Sequence, residues 1–410
     1  MKKLLAYLLV SCLLLTCVGC KDDTPKPEPK DVSIIVWMPQ ADQEKENNWL
    51  ENMEKRFQAA HPEYRITWDN AVKEVDELAL DLQTGAAVTA DVYYYDSNDM
   101  PNLVYKKLLA SLGGEYLEQA KNDNEAVHIN LISSDVGGVY GFPMESDTPI
   151  MFYDKAVFDE GDVASLDRMA EVGRVDMPFR NGLSAGCIFI GCGGRVYGNT
   201  GDAKMGIMFT ERFGGYIAAK KMVELIQNPN VTGTDLGSFG LLNGTADAVF
   251  TMVSDYQKLK KALGDRLGAA MLPTFTAEGN EYQMKSLAYC KCVGVNPKAD
   301  EEEGKMELCM EFAAFLASAE GQLLRYEMVG TVPINKGLRQ HEKVLADSVV
   351  TALMDTAACA AVPATKALAY TAYYGAIASF GNNVSIGAVT LDNYKFIVDE
   401  LNTSFSRPFG

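Results

Sequence analysis

Val32 to Trp37, V-S-I-I-V-W, is an almost unbroken apolar run bounded by polar residues. That pattern predicts a strand covered on both faces, as in a parallel sheet. Beyond it Trp49, Leu50, Met53, Phe57 and Ala60 recur at spacings of three and four. They predict an amphipathic helix from about Asp42 to Ala60, stopped at His61-Pro62. Tyr64, Ile66 and Trp68 alternate with Arg65 and Thr67, which predicts a second strand. A helix over about Val75–Leu82 and a strand over Val92–Tyr95 follow. The opening of the chain therefore reads β-α-β-α-β, an open α/β domain.

Further on, Asn102–Leu112 predicts a short helix, Gly138–Phe142 a strand or turn, and Pro149–Tyr153 a strand. Asp154–Val175 reads as a helical and polar connection. Strands are predicted at Ala248–Val253, Leu267–Leu272 and Tyr289–Val295, and helices at Tyr216–Gln227 and Lys305–Ala317. From Val344 onward the pattern is mostly helical, with a turn at Gly381-Asn382-Asn383. The glycine-rich stretch N-G-L-S-A-G-C-I-F-I-G-C-G-G-R-V-Y-G has neither phosphate-loop pattern and predicts close helix packing and turns.

The N-terminus is read separately from the fold. Lys2 and Lys3 precede an apolar run, Leu4–Leu15, and then C-V-G-C. This resembles a bacterial lipobox, with residues 1–20 as a signal peptide and Cys20 as the lipidated first mature residue. Residues 21–30, K-D-D-T-P-K-P-E-P-K, predict a semi-extended tether. No later run reaches the ~18 apolar residues of a membrane span, so the reading is a protein anchored to the membrane by lipid only.

The formal net charge of -18 disfavours nucleic acid and anionic lipid as surface partners. Six cysteines follow Cys20: Cys187, Cys192, Cys290, Cys292, Cys309 and Cys359. In an exported protein some of them can pair, and Cys187 and Cys192 are close enough for a small loop. Cys290 and Cys292 belong on one face of a strand and are poorly placed to bond to each other. His61, His128 and His341 stand too far apart to complete a zinc pattern, and no cofactor is implied.

The stretch A-D-V-Y-Y-Y-D-S-N-D, Ala90–Asp99, carries candidate chemistry. A polar cluster at the carboxyl end of an α/β strand is where such sheets keep ligands. An aromatic tip followed by small polar groups suits a sugar, whose ring stacks and whose hydroxyls need partners.

Eight segments in order, spread over nearly the whole mature chain, resemble the carbohydrate-type extracellular solute-binding proteins of ABC importers, within them the maltose/maltodextrin-binding group. They are I-I-V-W, T-A-D-V-Y-Y-Y-D-S-N-D, V-Y-G-F-P-M-E-S-D-T-P-I-M-F-Y-D-K, N-G-T-A-D-A-V-F-T-M, A-M-L-P-T-F, V-G-V-N-P, F-L-A-S-A-E-G-Q and G-T-V-P-I-N-K. The resemblance implies a two-lobed, type II periplasmic-binding-protein-like α/β fold, its lobes joined by crossing strands around a ligand cleft. The lobes would be residues 31–145 plus 290–337 and 146–289 plus 338–410.

Carried over by motif, Trp37 lies at the cleft edge, where it suits core as well as site. Tyr95 takes a stacking position, and Asp96, Asn98 and Asp99 line the same loop. Asp147 matches an acidic sugar-binding position, with Glu145 the alternative if the register slips. Asp255 and Tyr256 follow a second-lobe strand, and Tyr370, near Tyr373 and Tyr374, stands by the last cleft aromatic. All three tryptophans, Trp37, Trp49 and Trp68, fall in the first lobe. Positions near Leu183, Ser254 and Leu368, where several relatives carry tryptophan, have none.

The resemblance implies a monomeric, lipid-anchored receptor that passes a sugar or oligosaccharide to permease subunits. The rival readings are a surface interaction or sensor protein of the same fold and a glycosidase with paired carboxylates.

Overall fold

The computed structural model describes residues 28–405, apart from 136, 147, 183, 199 and 365–369, and of 203 and 370–372 the backbone only. The predicted signal peptide with Cys20, most of the predicted tether, Asp147 and the side chain of Tyr370 therefore lie outside the described residues.

Two five-stranded sheets organise the molecule, each within its own α/β lobe. The first has the order Tyr64–Val72, Lys30–Met38, Val92–Asp96, Cys290–Val295, Phe142–Ser146. Its first three strands are parallel, with Lys30 opposite Tyr64, Met38 opposite Val72 and Val36 opposite Val92. Cys290–Val295 runs antiparallel to both of its neighbours. The second has the order Leu267–Ala270, Pro149–Asp154, Ala248–Met252, Val175–Asp176, Val231–Thr232.

The apolar run at the start forms the strand predicted for it. Val32, Ile34, Val36 and Met38 point to one face and join a core with Trp49, Met53, Phe57, Leu308 and Phe312. Ile35 and Trp37 point to the other face and pack on a second core. The sheet is thus covered on both sides by helices, which is why its strands lack clean alternation.

Several boundaries differ from the sequence reading. The first long helix begins at Trp49 rather than Asp42, because Asn48 caps it, its Oδ1 accepting from the Glu51 amide at 2.9 Å. A short 3₁₀ turn, Gln40–Gln43, replaces the predicted first turns and delivers Asp42 to the interior. The helix expected over Asn102–Leu112 spans Met100–Tyr105 and ends before Lys107, which adopts a left-handed φ of 58°.

The largest difference is at Gly381-Asn382-Asn383, which lies inside a continuous helix, Tyr370–Ser385. A Cβ on Gly381 would come 1.8 Å from the carbonyl oxygen of Phe179. The glycine serves close packing, not a turn. The glycine-rich stretch behaves in the same way, packing around the helix Cys187–Gly191. All six described cysteines are free, and the Sγ atoms of Cys290 and Cys292 lie 3.4 Å apart without a bond.

No described helix is long and apolar enough to cross a membrane.

Candidate ligand-binding cleft

Strand direction places the candidate site. In the first sheet, the carboxyl ends of Lys30–Met38, Tyr64–Val72, Val92–Asp96 and Phe142–Ser146 fall at one edge, where Cys290–Val295 begins. In the second, the carboxyl ends of Val175–Asp176, Val231–Thr232, Ala248–Met252 and Leu267–Ala270 fall at one edge, where Pro149 begins its strand opposite Met252. The chain passes between the lobes at these edges, from Ser146 to Pro149 and from Ala288 to Cys290. The two passages are tied together, the Ser146 hydroxyl lying 2.7 Å from that of Thr148 and donating to the Tyr289 carbonyl at 3.3 Å. Both sets of strand ends thus face the crossover, where open α/β sheets hold ligands.

On the first lobe the predicted loop is present and rigid. The Asn98 amide donates to Asp96 Oδ1 at 2.8 Å, and the Asp99 amide to the Asp96 carbonyl at 2.9 Å. The Ser97 amide donates to the Cys290 carbonyl, and its hydroxyl accepts from the Cys290 amide at 3.2 Å. Asn98 is exposed, while Asp96 and Asp99 are half-buried. Trp37, also half-buried, lies at the end of its strand with the Lys73 ammonium 5.4 Å from its ring centre.

Burial, with Asp96 and Asp76 close by, pushes the Asp99 carboxyl up to about 7. Its folded-state value lies above the unfolded one, so the native state binds the extra proton and stability falls as pH rises between about 4 and about 7. Glu54 is also pushed up to about 7, and Asp235 to about 6, so the wild-type profile alone does not isolate Asp99. Asp99→Asn should leave stability unchanged at pH 4 and raise it by about 1–2 kcal/mol at pH 8, a value reduced for solvent screening at a half-buried site. Denaturant midpoints for the two proteins across that range are the measurement. An equal difference at both pH values would rule out the titration.

Two first-lobe candidates are taken up by partners within the protein instead. Tyr95 is fully buried, its hydroxyl donating to the Tyr140 carbonyl at 2.7 Å, so its ring offers no face for stacking. Glu145, half-buried, is held by a charge network that runs into the interior. Its Oε1 accepts from Lys291 at 3.0 Å, and its Oε2 from Tyr94 at 2.7 Å and from Arg325 at 3.3 Å. Arg325 also forks onto Asp42 at 2.7 and 3.0 Å. Burial alone would raise the Glu145 carboxyl, but Arg325 and Lys291 outweigh it and hold it below the usual carboxylate range. A carboxylate occupied in this way is an internal brace rather than a receiver of hydroxyls.

On the second lobe Asp255 stands at the predicted strand end, accepting from the Thr251 hydroxyl at 2.6 Å, with Lys258 at 3.9 Å. Tyr256 turns away from the crossover. Its hydroxyl donates to Asp347 at 3.0 Å, and it lines a 240 Å³ cavity with Lys155 and Leu267, which belong to the opposite end of the sheet. Beside the exposed Ser254, the same crossover edge holds residues that sequence reasoning passed over: Arg180, Asn181, Asp235 and Leu236. Two of the strands that position them, Val175–Asp176 and Val231–Thr232, have only two residues each. Alternation needs about four residues to register, so the only available signal was the polar turn P-F-R-N. Among the described residues no cluster of His, Cys, Asp and Glu could hold a metal ion.

Comparison with known proteins agrees with this geometry. The family model described as bacterial extracellular solute-binding protein matches residues 52–352. A solved structure determined with acarbose is 30% identical, with 92% of this chain and 98% of that one covered and a TM-score of 0.74. The maltodextrin binding protein from L. casei BL23, without ligand, is 20% identical, covers 92% of this chain and 100% of its own, and gives a TM-score of 0.80. The maltose-binding periplasmic protein of Listeria monocytogenes, in complex with maltose, is 16% identical over 91% of this chain and 97% of its own, with a TM-score of 0.73. No curated protein matches the sequence. The fold is therefore that of the two-lobed maltose-binding proteins, and the chain is a member of the bacterial extracellular solute-binding protein family.

Proposed function

We propose that this protein is the lipid-anchored receptor of an ABC importer and captures a neutral oligosaccharide of the maltodextrin type between its lobes. The observation that carries the reading is the convergence of both sets of strand ends on the crossover, with Trp37, Asp96, Asn98 and Asp99 on one side and Arg180, Asn181 and Asp255 on the other. The likeness to maltodextrin- and acarbose-associated structures supports the choice of ligand.

The mechanism is capture, not chemistry. A ligand that touches both edges favours the closed arrangement by its differential affinity for it. Residues 31–145 with 290–337 act as one body and 146–289 with 338–410 as the other. Asp147, at the first passage, contributes an acceptor for sugar hydroxyls, and Tyr370 a second-lobe aromatic. The closed monomer then presents both lobes to the permease subunits. Lipid on Cys20 holds the receptor at the outer membrane face.

The test titrates the protein with maltose and maltotetraose, following melting temperature and small-angle scattering. Binding to the folded state raises the melting temperature by mass action, and closure lowers the radius of gyration. No shift with any maltodextrin would overturn the ligand assignment, and a shift without compaction would overturn the closing mechanism. For the anchor, Cys20→Ser should release the protein from the membrane fraction, and unchanged retention would count against lipidation.

A further inference from the structure

We infer that Leu236 and Phe239 form a sugar-stacking platform on the second lobe, with Phe239 offering one ring face to the cleft. The inference rests on the ligand class proposed above and assigns part of its recognition to residues outside the predicted set.

The two side chains are 39% and 63% exposed, a high fraction for neighbouring large apolar groups. Their place in the fold is set by strand direction. Val231–Thr232 runs parallel to Val175–Asp176, which runs parallel to Ala248–Met252, so the loop after Thr232 leaves from the crossover edge. Gly237 then turns the chain back with a left-handed φ of 52°, its position for a Cβ lying 3.4 Å from the Thr251 hydroxyl. The short helix Ser238–Leu242 starts there, and Phe239 stands in its first turn.

The loop is rigid, so the exposure is not a consequence of slack. The buried carboxylate of Asp176 accepts four hydrogen bonds: from the Thr232 hydroxyl at 2.6 Å, the Thr234 amide at 2.9 Å, the Thr234 hydroxyl at 2.7 Å and the Leu236 amide at 2.7 Å. The Phe239 ring is positioned as well. The Lys258 ammonium sits 4.5 Å from its centre and donates to the Ser238 hydroxyl at 3.0 Å. One face is thereby covered by a cation, and the other is left for a ligand.

Asp235 precedes Leu236 in the chain, and Asp255 lies 3.9 Å from the Lys258 ammonium that covers Phe239, so both suit hydroxyls at the edge of a ring. A rigid apolar plane bordered by short polar groups is what a pyranose needs, since its C–H face stacks while its equatorial hydroxyls demand partners. The second lobe, which has no tryptophan, gains an aromatic surface by this route.

Calorimetric titration with maltotetraose tests the platform, using wild type, Phe239→Ala and Phe239→Trp. Phe239→Ala should weaken binding about three- to tenfold with an unchanged melting temperature of the ligand-free protein. Phe239→Trp should keep or improve the affinity, and the indole it introduces should change its emission on titration beyond the wild-type signal. Wild-type affinity in Phe239→Ala, with a silent indole in Phe239→Trp, would overturn the platform alone, and the same result would follow if a partner protein covers this patch instead. Failure of the wild-type protein to bind maltodextrin would overturn the ligand reading, and the platform with it.

Discussion

Replacing Arg325 with methionine should lower the unfolding free energy by about 3–5 kcal/mol, the range for removing one partner of a buried ion pair. Arg325 is buried, and it binds a fully buried Asp42 through two hydrogen bonds of 2.7 and 3.0 Å. It also lies over the rings of Tyr94 and Trp49, 5.1 and 5.6 Å from their centres. Methionine fills much of the volume but supplies no donors, so the Asp42 carboxylate is left in the interior uncompensated. Glu145 suffers less, because Lys291 and Tyr94 remain on it. The double variant Asp42→Asn/Arg325→Met should therefore recover part of the loss. Urea unfolding followed by tryptophan fluorescence and circular dichroism is the measurement. A loss below about 1 kcal/mol in the single variant would show that water, another cation or a proton neutralises Asp42 at little cost.

Gly381→Ala should destabilise the protein by about 1–3 kcal/mol, although helix propensity taken alone favours alanine by about 1 kcal/mol. The two effects have opposite signs, and geometry decides between them. The added Cβ would lie 1.8 Å from the Phe179 oxygen and 2.7 Å from its carbonyl carbon, and these are backbone atoms with no rotamer to change. Either the helix Tyr370–Ser385 retreats or the segment after Asp176 moves. That segment carries Arg180 and Asn181 at the crossover edge, so ligand affinity should fall together with stability. Denaturant midpoints and maltotetraose titration of the variant check both effects. A stabilised variant would mean that the helix is not held against Phe179 in solution.

How much of the molecule was legible depended on the length of the local pattern. Lys30–Met38 and Val92–Asp96 were readable because a doubly covered strand is continuously apolar. That same property hid the fact that none of its three tyrosines faces outward. Tyr93, Tyr94 and Tyr95 are all buried, Tyr93 and Tyr95 in one core and Tyr94 in the other. The composition of a doubly covered strand does not distinguish a stacking aromatic from a structural one. At Gly381 the local rule for G-N-N favoured a turn, and a contact with Phe179, some two hundred residues earlier in the chain, overrode it.

By itself, the sequence determined the α/β class, the order of the main strands and helices, the family resemblance and the loop Asp96–Asp99, since each rests on periodicity or on residues adjacent along the chain. Tertiary structure alone decided which charged and aromatic groups are available. Asp42 and Arg325 are 283 positions apart, and Arg325 and Glu145 are 180 apart. Before folding, Glu145, Asp96 and Asp255 are equivalent acidic residues beside apolar strands. Once the lobes form, Lys291 and Arg325 enclose the first, while the second and third stay at the crossover edge. Side-chain availability depends on burial and pairing between distant segments, and neither is encoded in the spacing of near neighbours.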